Sequence, residues 1–523
     1  MLDPSVACGL PQDDIGSWRI MTKLEKLNIP LFEVREVGYV KDVRRGIARI
    51  AGMPSCVYGQ LVQFSHGTKG MVIGFNPSDV LVIILGDESS ISVGDSISSL
   101  SELMVTPVGD NFLGRIVNSL GEPIDGKGEI IPDDFLPIFI EAPGVMEREP
   151  VERPLVTGTK IIDLAIPIGK GQRELIIGDR QTGKSSIALD AIINQKGRDV
   201  LCIYCWIGGP QAALKKNLHA LQEKGALKYT IVVSSSADTS AAEQYLAPYT
   251  AAALGEYFMS GGKDVLVIFD DLTKHAWIYR QMSLLLERSP GREAYPGDIF
   301  YLHSQLLERA GQLKKERGGG SMTFLPIVET LQGDITGYIQ TNIISITDGQ
   351  IYINASLFRE GFKPAIDMGL SVSRIGSKVQ YPAIKDTSKG LRLEYAQYRE
   401  MLRLTKLRTR LSKEAMEKMW RGEILKELLM QAHNQPVPVE EEIAIFYAFK
   451  RKVLEPLSAD ELKKFKEDFF SYLNQTYPGL VKRIADKREL TQDITADLDR
   501  AYIDFFRIVA EEMKKSMKPE NAQ

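Results

Sequence analysis

One short segment constrains the fold of this chain more than any other part of it. Gly178-Asp-Arg-Gln-Thr-Gly-Lys-Ser185 matches the pattern G-x-x-x-x-G-K-[ST], in which a glycine-rich loop wraps a chain of phosphates. The apolar run Leu175-Ile-Ile177 precedes it, and a helical pattern follows it as far as Gly197. This order predicts a buried strand, a tight loop and a helix, and hence an α/β domain that binds phosphates.

Each residue type in this loop has a physical role in holding a nucleotide. Glycine lets the backbone amides point inward at the phosphates, and the N-terminus of the following helix adds partial positive charge. Lys184 is expected to reach the β- and γ-phosphates, and the Ser185 hydroxyl to bind Mg²⁺. The predicted nucleotide-binding residues are all those of the loop: Gly178, Asp179, Arg180, Gln181, Thr182, Gly183, Lys184 and Ser185.

A second segment, Val265-Leu-Val-Ile-Phe-Asp-Asp271, supplies the acidic half of such a site. Its apolar residues predict a buried strand, and a carboxylate at the end of a buried strand needs a partner. We expect Asp270 to hold a water on the Mg²⁺ that Ser185 also binds. The two segments together predict a site for a magnesium nucleotide.

The 523 residues divide into a leading arm and three zones. Residues 1–33 have apolar side chains at helical spacing, which predicts an amphipathic arm or a loosely held tail. From residue 34 to 103 short apolar segments alternate with Gly- and Asp-rich breaks, which predicts a small β-barrel. The predicted barrel strands are Gly46–Ile50, Leu61–Phe64, Gly70–Gly74 and Val80–Leu85.

The middle zone, residues 104–381, alternates strand and helix patterns in a regular order. This alternation predicts a parallel sheet covered by helices on both faces. Residues 382–523 lack strand patterns and predict a helical bundle. The predicted strands of the middle zone are Leu175–Ile177, Val200–Ile207, Tyr229–Ser234 and Val265–Phe269, and its predicted helices include Ala212–Lys224 and Thr239–Ser260.

Near the start of the helical zone, four apolar residues are spaced so as to share one face of a single helix. Basic residues lie between and around them, and we interpret these as a solvated helix face rather than a nucleic-acid contact. The apolar residues are Leu404, Leu407, Leu411 and Ala415, and the basic ones are Arg403, Lys406, Arg408, Arg410 and Lys413.

The composition argues against a nucleic-acid-binding, a secreted or a membrane-spanning protein. Lys and Arg number 64 against 68 Asp and Glu, so no polyanion is expected as the main partner. Only 4 Cys are present, which is typical of a reducing compartment. The apolar runs fall far short of the roughly 20 residues that a membrane-spanning helix needs, and the first residues do not form a signal-peptide pattern. If the protein works at a membrane, we expect something other than this chain's own segments to hold it there.

Six segments of the chain resemble the α subunits of F-type ATP synthases. This resemblance implies a multidomain α/β protein with an N-terminal β-barrel, a central RecA-like phosphate-loop domain and a C-terminal helical bundle. It also implies ATP or ADP and Mg²⁺ as ligands. The six segments are Gly171–Ser185, Pro123–Gly128, Tyr279–Glu287, Pro290–Asp298, Leu306–Ala310 and Pro364–Arg374.

The same resemblance implies an assembly at a membrane. Such chains alternate with catalytic β subunits in a three-plus-three ring around the γ subunit of a central stalk. A peripheral stalk with its δ subunit meets the N-terminal arm. The implied complex makes ATP from an ion gradient, or runs in reverse, at the cytoplasmic face of the bacterial plasma membrane. This chain is expected to meet the membrane sector only indirectly and to bind no nucleic acid.

The stretch Trp206–Lys216 indicates that this chain does not itself turn over ATP. In the related β subunits a Glu in this stretch positions the attacking water. Here the stretch contains no Asp or Glu, and Gly209 stands at the position in question, where α subunits usually have Gln. We therefore expect a noncatalytic site, the alternative being a carboxylate supplied from elsewhere in the fold.

The family pattern also implies roles for residues outside the loop. Arg374 matches the arginine that α subunits extend into the catalytic site of the neighbouring β subunit, so it is the predicted catalytic residue. Phe358 matches an aromatic residue near the base, and Gln431 matches one glutamine of the pattern. Lys363 and His433 depart from the usual arginine and glutamine, which indicates a divergent α subunit, as in an accessory complex.

Two other functions are compatible with the fold. A homohexameric motor, such as a secretion ATPase or an RNA translocase, would have to keep its own catalytic carboxylate. An RNA translocase would also carry a basic, aromatic barrel, whereas this one is rich in Asp, Ser and Gly. The third possibility is a nucleotide-binding scaffold without an energy-converting partner. A β-like chain that copurifies in equal amount would exclude both alternatives.

Overall fold

The computed structural model of this protein describes residues 35–86, 88–406 and 412–516. These residues divide into two units, a smaller one that ends at Leu103 and a larger one that begins at Met104, with Arg44–Ile47 assigned to the larger. The predicted N-terminal arm, residues 1–33, lies outside the described part of the chain.

The smaller unit is a closed barrel of six strands, in the order β1-β2-β5-β4-β3-β6. Closure pairs every strand on both sides and leaves no free sheet edge. Inward-pointing residues such as Ile50, Phe64 and Val82 fill the interior. The predicted barrel is therefore confirmed. Its strands are β1 (Val37–Arg44), β2 (Ile47–Ala51), β3 (Gln60–Phe64), β4 (Lys69–Asn76), β5 (Asp79–Leu85) and β6 (Ser96–Leu103).

The larger unit is built on a ten-stranded sheet whose main path is β20-β19-β13-β18-β16-β14-β15-β8. Its strands, together with those of two small two-stranded sheets, are β7 (Val105–Val108), β8 (Ile116–Val117), β9 (Asp134–Pro137), β10 (Arg148–Glu149), β11 (Pro154–Leu155), β12 (Ile168–Gly169), β13 (Leu175–Asp179), β14 (Val200–Ile207), β15 (Thr230–Ser235), β16 (Asp264–Asp270), β17 (Gly311–Leu313), β18 (Ser321–Thr330), β19 (Gly349–Ile353) and β20 (Val372–Ser373).

The strands from β19 to β8 along this path are parallel, as predicted. The margins of the sheet differ from the prediction. β20 pairs antiparallel with β19, and β17 pairs antiparallel with both β10 and β18. These three strands are only two or three residues long. Such short segments carry no periodicity that a sequence pattern could detect.

Helices cover both faces of the sheet because successive strand residues point to opposite sides. Ile268 of β16 packs in the same core as Ile187 of the helix that follows the phosphate loop. Val267 points to the opposite face and lies against Gly255 of the long helix Ala241–Ser260. The helices of this region are α1 (Lys160–Ala165), α2 (Lys184–Ile193), α3 (Gln211–Glu223), α4 (Ala241–Ser260), α5 (Leu272–Leu285), α6 (Ile299–Leu307), α7 (Tyr338–Ile346) and α8 (Ala355–Arg359).

The described residues after Tyr381 form helices, which confirms the predicted helical zone. Their core is continuous with that of the sheet, since one cluster of buried residues includes both Ile176 and Phe446. The proposed boundary between the two zones at residue 381 stays a prediction. The helices are α9 (Pro382–Ser388), α10 (Leu391–Lys406), α11 (Lys413–Leu429), α12 (Val439–Lys450), α13 (Ala459–Thr476), α14 (Pro478–Lys487) and α15 (Gln492–Ser516).

The prediction of one helix face through Leu404, Leu407, Leu411 and Ala415 is wrong. Helix α10 ends at Lys406, and Ala415 belongs to α11. Ser412 caps α11 by accepting a hydrogen bond from the Ala415 amide at 3.2 Å, and such a cap begins a new helix. Leu404 is 46% exposed. Leu407 and Leu411 lie outside the described residues, as do Arg408 and Arg410.

Within the described ranges, the helices include none with the length and apolar character that a membrane crossing requires.

Candidate functional site

The phosphate loop lies where the sequence predicts it, between the end of β13 and the start of α2. A Cβ at Gly178 would lie 2.6 Å from the carbonyl oxygen of Ile353, so only glycine lets β13 approach β19 this closely. Gly183 has a φ of 99°, a left-handed conformation that places the turn directly before Lys184. The loop amides and the N-terminus of α2 thereby face the same space.

Lys184 is folded against its own loop. Its Nζ donates to the carbonyl oxygens of Gly178 at 3.0 Å and Asp179 at 2.6 Å. The side chain is buried, and burial is the main cause that lowers its pKa. An ammonium group held at the mouth of the loop in this way is positioned to contact a phosphate oxygen.

Asp179 and Thr182 hold the loop in shape. The Asp179 carboxylate accepts hydrogen bonds from the Thr330 hydroxyl at 2.6 Å and from the Gly333 amide at 2.8 Å. Thr182 Oγ1 donates to the carbonyl oxygen of Asp179 at 2.7 Å. The Asp179 side chain therefore ties the loop to the end of β18.

Ser185 and Asp270 are brought together although the chain separates them widely. The Ser185 hydroxyl hydrogen-bonds the Asp270 carboxylate, and the Tyr204 hydroxyl donates to that carboxylate at 2.8 Å. Asp270 is 4% exposed, and burial raises its pKa. A hydroxyl and a carboxylate side by side offer the hard oxygen ligands that Mg²⁺ prefers. These residues fit the predicted metal position.

A cavity of about 910 Å³ opens in front of the loop. It is large enough for the phosphates and sugar of a nucleotide. Its acidic lining residues are each engaged in the structure. Beside the Tyr204–Asp270 bond, Arg180 Nε donates to Glu329 at 2.8 Å. Lys274 Nζ donates to Asp271 at 2.6 Å. Basic and acidic groups therefore alternate around the phosphate end of the cavity.

A second cavity, of about 360 Å³, shares Gln181, Gly183 and Ser186 with the first. Phe358, Lys363, Gln431 and His433 also line it, so the structure brings all four predicted base-side positions to the loop. The Lys363 ammonium lies 4.8 Å from the centre of the Phe358 ring, a cation–π contact.

Gln431 is held at both ends of its amide. Its Nε2 donates to the carbonyl oxygen of Gly158 at 2.7 Å, and its Oε1 accepts from the Lys160 amide at 3.2 Å. These bonds fix its position at the rim of the second cavity, 273 residues along the chain from Gly158.

Arg374 lies away from both cavities. It is exposed and follows the short strand β20, and the lining residues described for the two cavities do not include it. Its backbone amide donates to the Asp348 carbonyl oxygen at 2.8 Å, and its guanidinium donates to the Ile344 carbonyl oxygen at 3.3 Å. Arg173 pairs with the Asp348 carboxylate at 2.8 Å. The backbone of Arg374 is thus anchored, and its side chain is exposed although the guanidinium makes one long hydrogen bond to Ile344.

Sequence reasoning missed several residues that line the first cavity. They are Trp206, Lys274, Trp277 and Glu329. Parallel strands direct their carboxyl ends to one edge of a sheet, so the ends of β14 and β18 were a signal for Trp206 and Glu329. Lys274 and Trp277 sit on the helix after β16, where no motif marks them.

Comparison with protein families agrees with this architecture. The beta-barrel domain of the ATP synthase alpha/beta family matches residues 33–100. The nucleotide-binding domain of the same family matches residues 158–373, and the C terminal domain of the ATP synthase alpha/beta chain matches residues 380–505.

Curated relatives give the same result along nearly the whole chain. The ATP synthase subunit alpha of Clostridium botulinum is 47% identical over 494 residues, which cover 94% of this chain and 98% of that protein. The ATP synthase subunit alpha of Clostridium acetobutylicum is 48% identical over 481 residues, covering 92% of this chain and 95% of the relative. This chain therefore belongs to the ATP synthase alpha/beta family, as one of its alpha subunits.

Proposed function

We propose that this alpha subunit binds Mg-ATP or Mg-ADP at a noncatalytic site and supplies Arg374 to the catalytic site of an adjacent β subunit. The main support is a cavity that has a complete phosphate-binding set but no unengaged carboxylate among its described lining residues.

In this proposal the loop amides and Lys184 hold the phosphates, and the second cavity takes the base between Phe358 and Gln431. Ser185 and Asp270 hold the Mg²⁺, which neutralises phosphate charge when it is bound. Asp270 is buried and the carboxylate of Asp271 also lies close to it, so a cation beside Asp270 would offset the cost of burying its charge.

The hydrogen bonding of the carboxylates that line the cavity supports the noncatalytic assignment. A general base has to reach the attacking water, directly or through one more water. The carboxylates of Asp270, Asp271 and Glu329 each accept a hydrogen bond at 2.8 Å or less. Position 209 carries no side chain at all. The alternative of a carboxylate supplied from elsewhere therefore lacks a candidate among these lining residues.

Arg374 suits action in a neighbouring subunit because it is exposed and its backbone is anchored. A guanidinium donates two hydrogen bonds to the charge that develops on a transferring phosphoryl group. Such a group stabilises the transition state without contacting the nucleotide of its own chain.

The proposed partners are those of the assembly that the family implies. They are β subunits in an alternating three-plus-three ring, the γ subunit of the central stalk and the δ subunit of a peripheral stalk. The chain would meet the membrane sector only through them, at the cytoplasmic face of a bacterial plasma membrane. We do not propose a nucleic-acid partner, because the net charge is −4.

Replacing Arg374 by Ala tests whether this residue acts in the catalytic site of the neighbouring subunit and not in nucleotide binding by its own chain. We expect Mg-ATP binding by the purified chain to be unchanged and ATP turnover by the assembled complex to fall by about a thousandfold or more. Binding is measured by calorimetry and turnover by phosphate release. Arg507→Ala, at an exposed arginine paired with Asp504 at 2.9 Å, is the matched control and should leave both unchanged.

A complex of Arg374→Ala that keeps near-normal turnover would contradict the finger assignment. ATP hydrolysis by the purified chain alone would contradict the noncatalytic site. Lys184→Ala is the complementary variant, because it should abolish Mg-ATP binding by this chain while leaving Arg374 in place.

A further inference from the structure

Gly209 stands at the position where the related β subunits carry a catalytic carboxylate, and the indole ring of Trp206 lies directly beside it. A Cβ built on Gly209 would lie 2.2 Å from Cζ2 and 2.5 Å from Cε2 of Trp206. Both distances are far inside van der Waals contact, and the atoms belong to a rigid bicyclic ring. The indole thus occupies the space into which any side chain at position 209 would project.

Trp206 cannot move aside without leaving a packed position. It is the second-last residue of strand β14, which ends at Ile207, and it is 5% exposed. Its ring lies 6.2 Å from that of Tyr204, and the Lys274 ammonium lies 5.8 Å from its centre. Its Nε1 is buried without a hydrogen-bond partner in the described part of the chain. Packing rather than hydrogen bonding therefore sets the orientation of the ring.

The same indole forms part of the wall of the nucleotide cavity. Trp206 lines it together with Lys184, Ser185 and Asp270, the residues at the phosphate end. If a new side chain at position 209 displaced the ring, the free space beside it would be this cavity. Displacement would therefore place an indole where the phosphates are expected to bind.

We propose that Trp206 and Gly209 form an interdependent pair that determines the chemistry of this site. The indole ring of Trp206 fills the space that a side chain at position 209 would occupy. The cavity is therefore lined there by an apolar ring instead of a polar group that could orient water. A polar or acidic side chain at position 209 is compatible with nucleotide binding only if Trp206 is made smaller. This inference rests on the proposed noncatalytic function, and it assigns to Trp206 the role of keeping water-orienting side chains out of position 209.

A double-substitution cycle on the purified full chain tests the pair. The variants are Gly209→Gln, Trp206→Leu and the two combined, with Mg-ATP binding measured by calorimetry. We expect Gly209→Gln alone to weaken binding about tenfold or more, because overpacking a buried position is costly. The combined variant should bind within about threefold of the wild type. Gly297→Ala is the control, since a Cβ there meets nothing within 4 Å.

The melting temperature of each variant without nucleotide separates misfolding from a local effect. We expect the combined variant to melt at a higher temperature than Gly209→Gln. Two results would overturn the inference: Gly209→Gln that binds and melts like the wild type, or a combined variant no better than Gly209→Gln in both measurements. Failure of the wild-type chain to bind Mg-ATP would instead contradict the proposed function.

Discussion

At the scale of single residues, buried charged groups show how the loops around the site are held. Asp163, in the short helix α1, is 8% exposed. Its carboxylate accepts hydrogen bonds from the Thr157 amide and hydroxyl, both at 2.9 Å, and from the Gly158 amide at 2.8 Å. Burial outweighs these bonds and raises its pKa to about 6. The hydrogen bonds hold the turn at Thr157 and Gly158, and the carbonyl oxygen of Gly158 accepts the hydrogen bond from Gln431.

The raised pKa makes stability depend on pH in a defined direction. The folded protein binds the Asp163 proton more tightly than the unfolded chain does. Protonated Asp163 therefore adds its full stabilisation to the free energy of unfolding below about pH 4, and this stabilisation is lost as the pH rises through about 6. Between about pH 4 and pH 7 the free energy of unfolding falls by about 3 kcal/mol for this reason. We expect Asp163→Asn to be destabilising, with the difference from the wild type largest at pH 4 and smaller at pH 7.

Urea unfolding at both pH values measures this difference. Asp199→Asn, at an exposed aspartate, is the control and should show a difference that does not change with pH in this way. A difference between wild type and Asp163→Asn that grows from pH 4 to pH 7 would contradict the assigned direction.

At the scale of elements, a buried ion pair joins helix α4 to the turn that follows helix α6. Arg309, just after α6, donates to the two carboxylate oxygens of Glu256 in α4 at 2.6 and 2.5 Å. Its third nitrogen donates to the carbonyl oxygen of Ile138 at 2.8 Å. The side chains are 1% and 7% exposed. Removing one partner leaves a buried charge unpaired, which costs more than removing both.

We therefore expect Arg309→Leu to lower the free energy of unfolding by about 3–5 kcal/mol. The double variant Arg309→Leu/Glu256→Leu should recover a substantial part of that loss, because it leaves no unpaired charge. Denaturant unfolding of the purified chain gives both values. Arg500→Ala, which breaks an exposed pair with Asp497 at 3.4 Å, should change stability by less than about 1 kcal/mol. Equal losses in the single and double variants would contradict this account.

Elements were predictable from the sequence in proportion to their length and regularity. Strands β13 to β16 and helices α3 and α4 lie within a few residues of their predicted bounds, because their apolar residues follow a clear period. The two-residue strand β20 and the break at Ser412 were not predicted. The first depends on long-range partners, since β20 pairs with β19 and Ser373 donates to the carbonyl oxygen of Pro167, and the second is marked by the capping hydrogen bond of Ser412.

At the scale of the whole molecule, the family assignment requires partners that the chain does not contain. A multisubunit ATP synthase is the assembly in which its relatives are named. The proposed arginine finger can act only when an adjacent subunit provides the catalytic carboxylate. A subunit inventory of the native complex therefore tests the assignment as a whole.

We expect the native complex to contain this chain and a homologous chain in equal amount, the second with a carboxylate at the position that corresponds to Gly209. Affinity purification from the native source followed by quantitative mass spectrometry provides the measurement. ATPase assays of the same preparation, with and without added Na⁺, identify the coupling ion. Recovery of this chain as a homohexamer with ATPase activity of its own would support a self-sufficient motor instead.

Sequence alone determined the local features of this protein: the phosphate loop between a strand and a helix, the order of the zones and the family. These depend on neighbouring residues, and their periodicity is visible in the chain. Only the tertiary structure decided that Gln431 is held by Gly158 and Lys160, that Asp179 ties the loop to Thr330, and that Trp206 fills the space beside Gly209. Such contacts arise when distant segments pack into one core, and close packing, unlike periodicity, cannot be read from spacing along the chain.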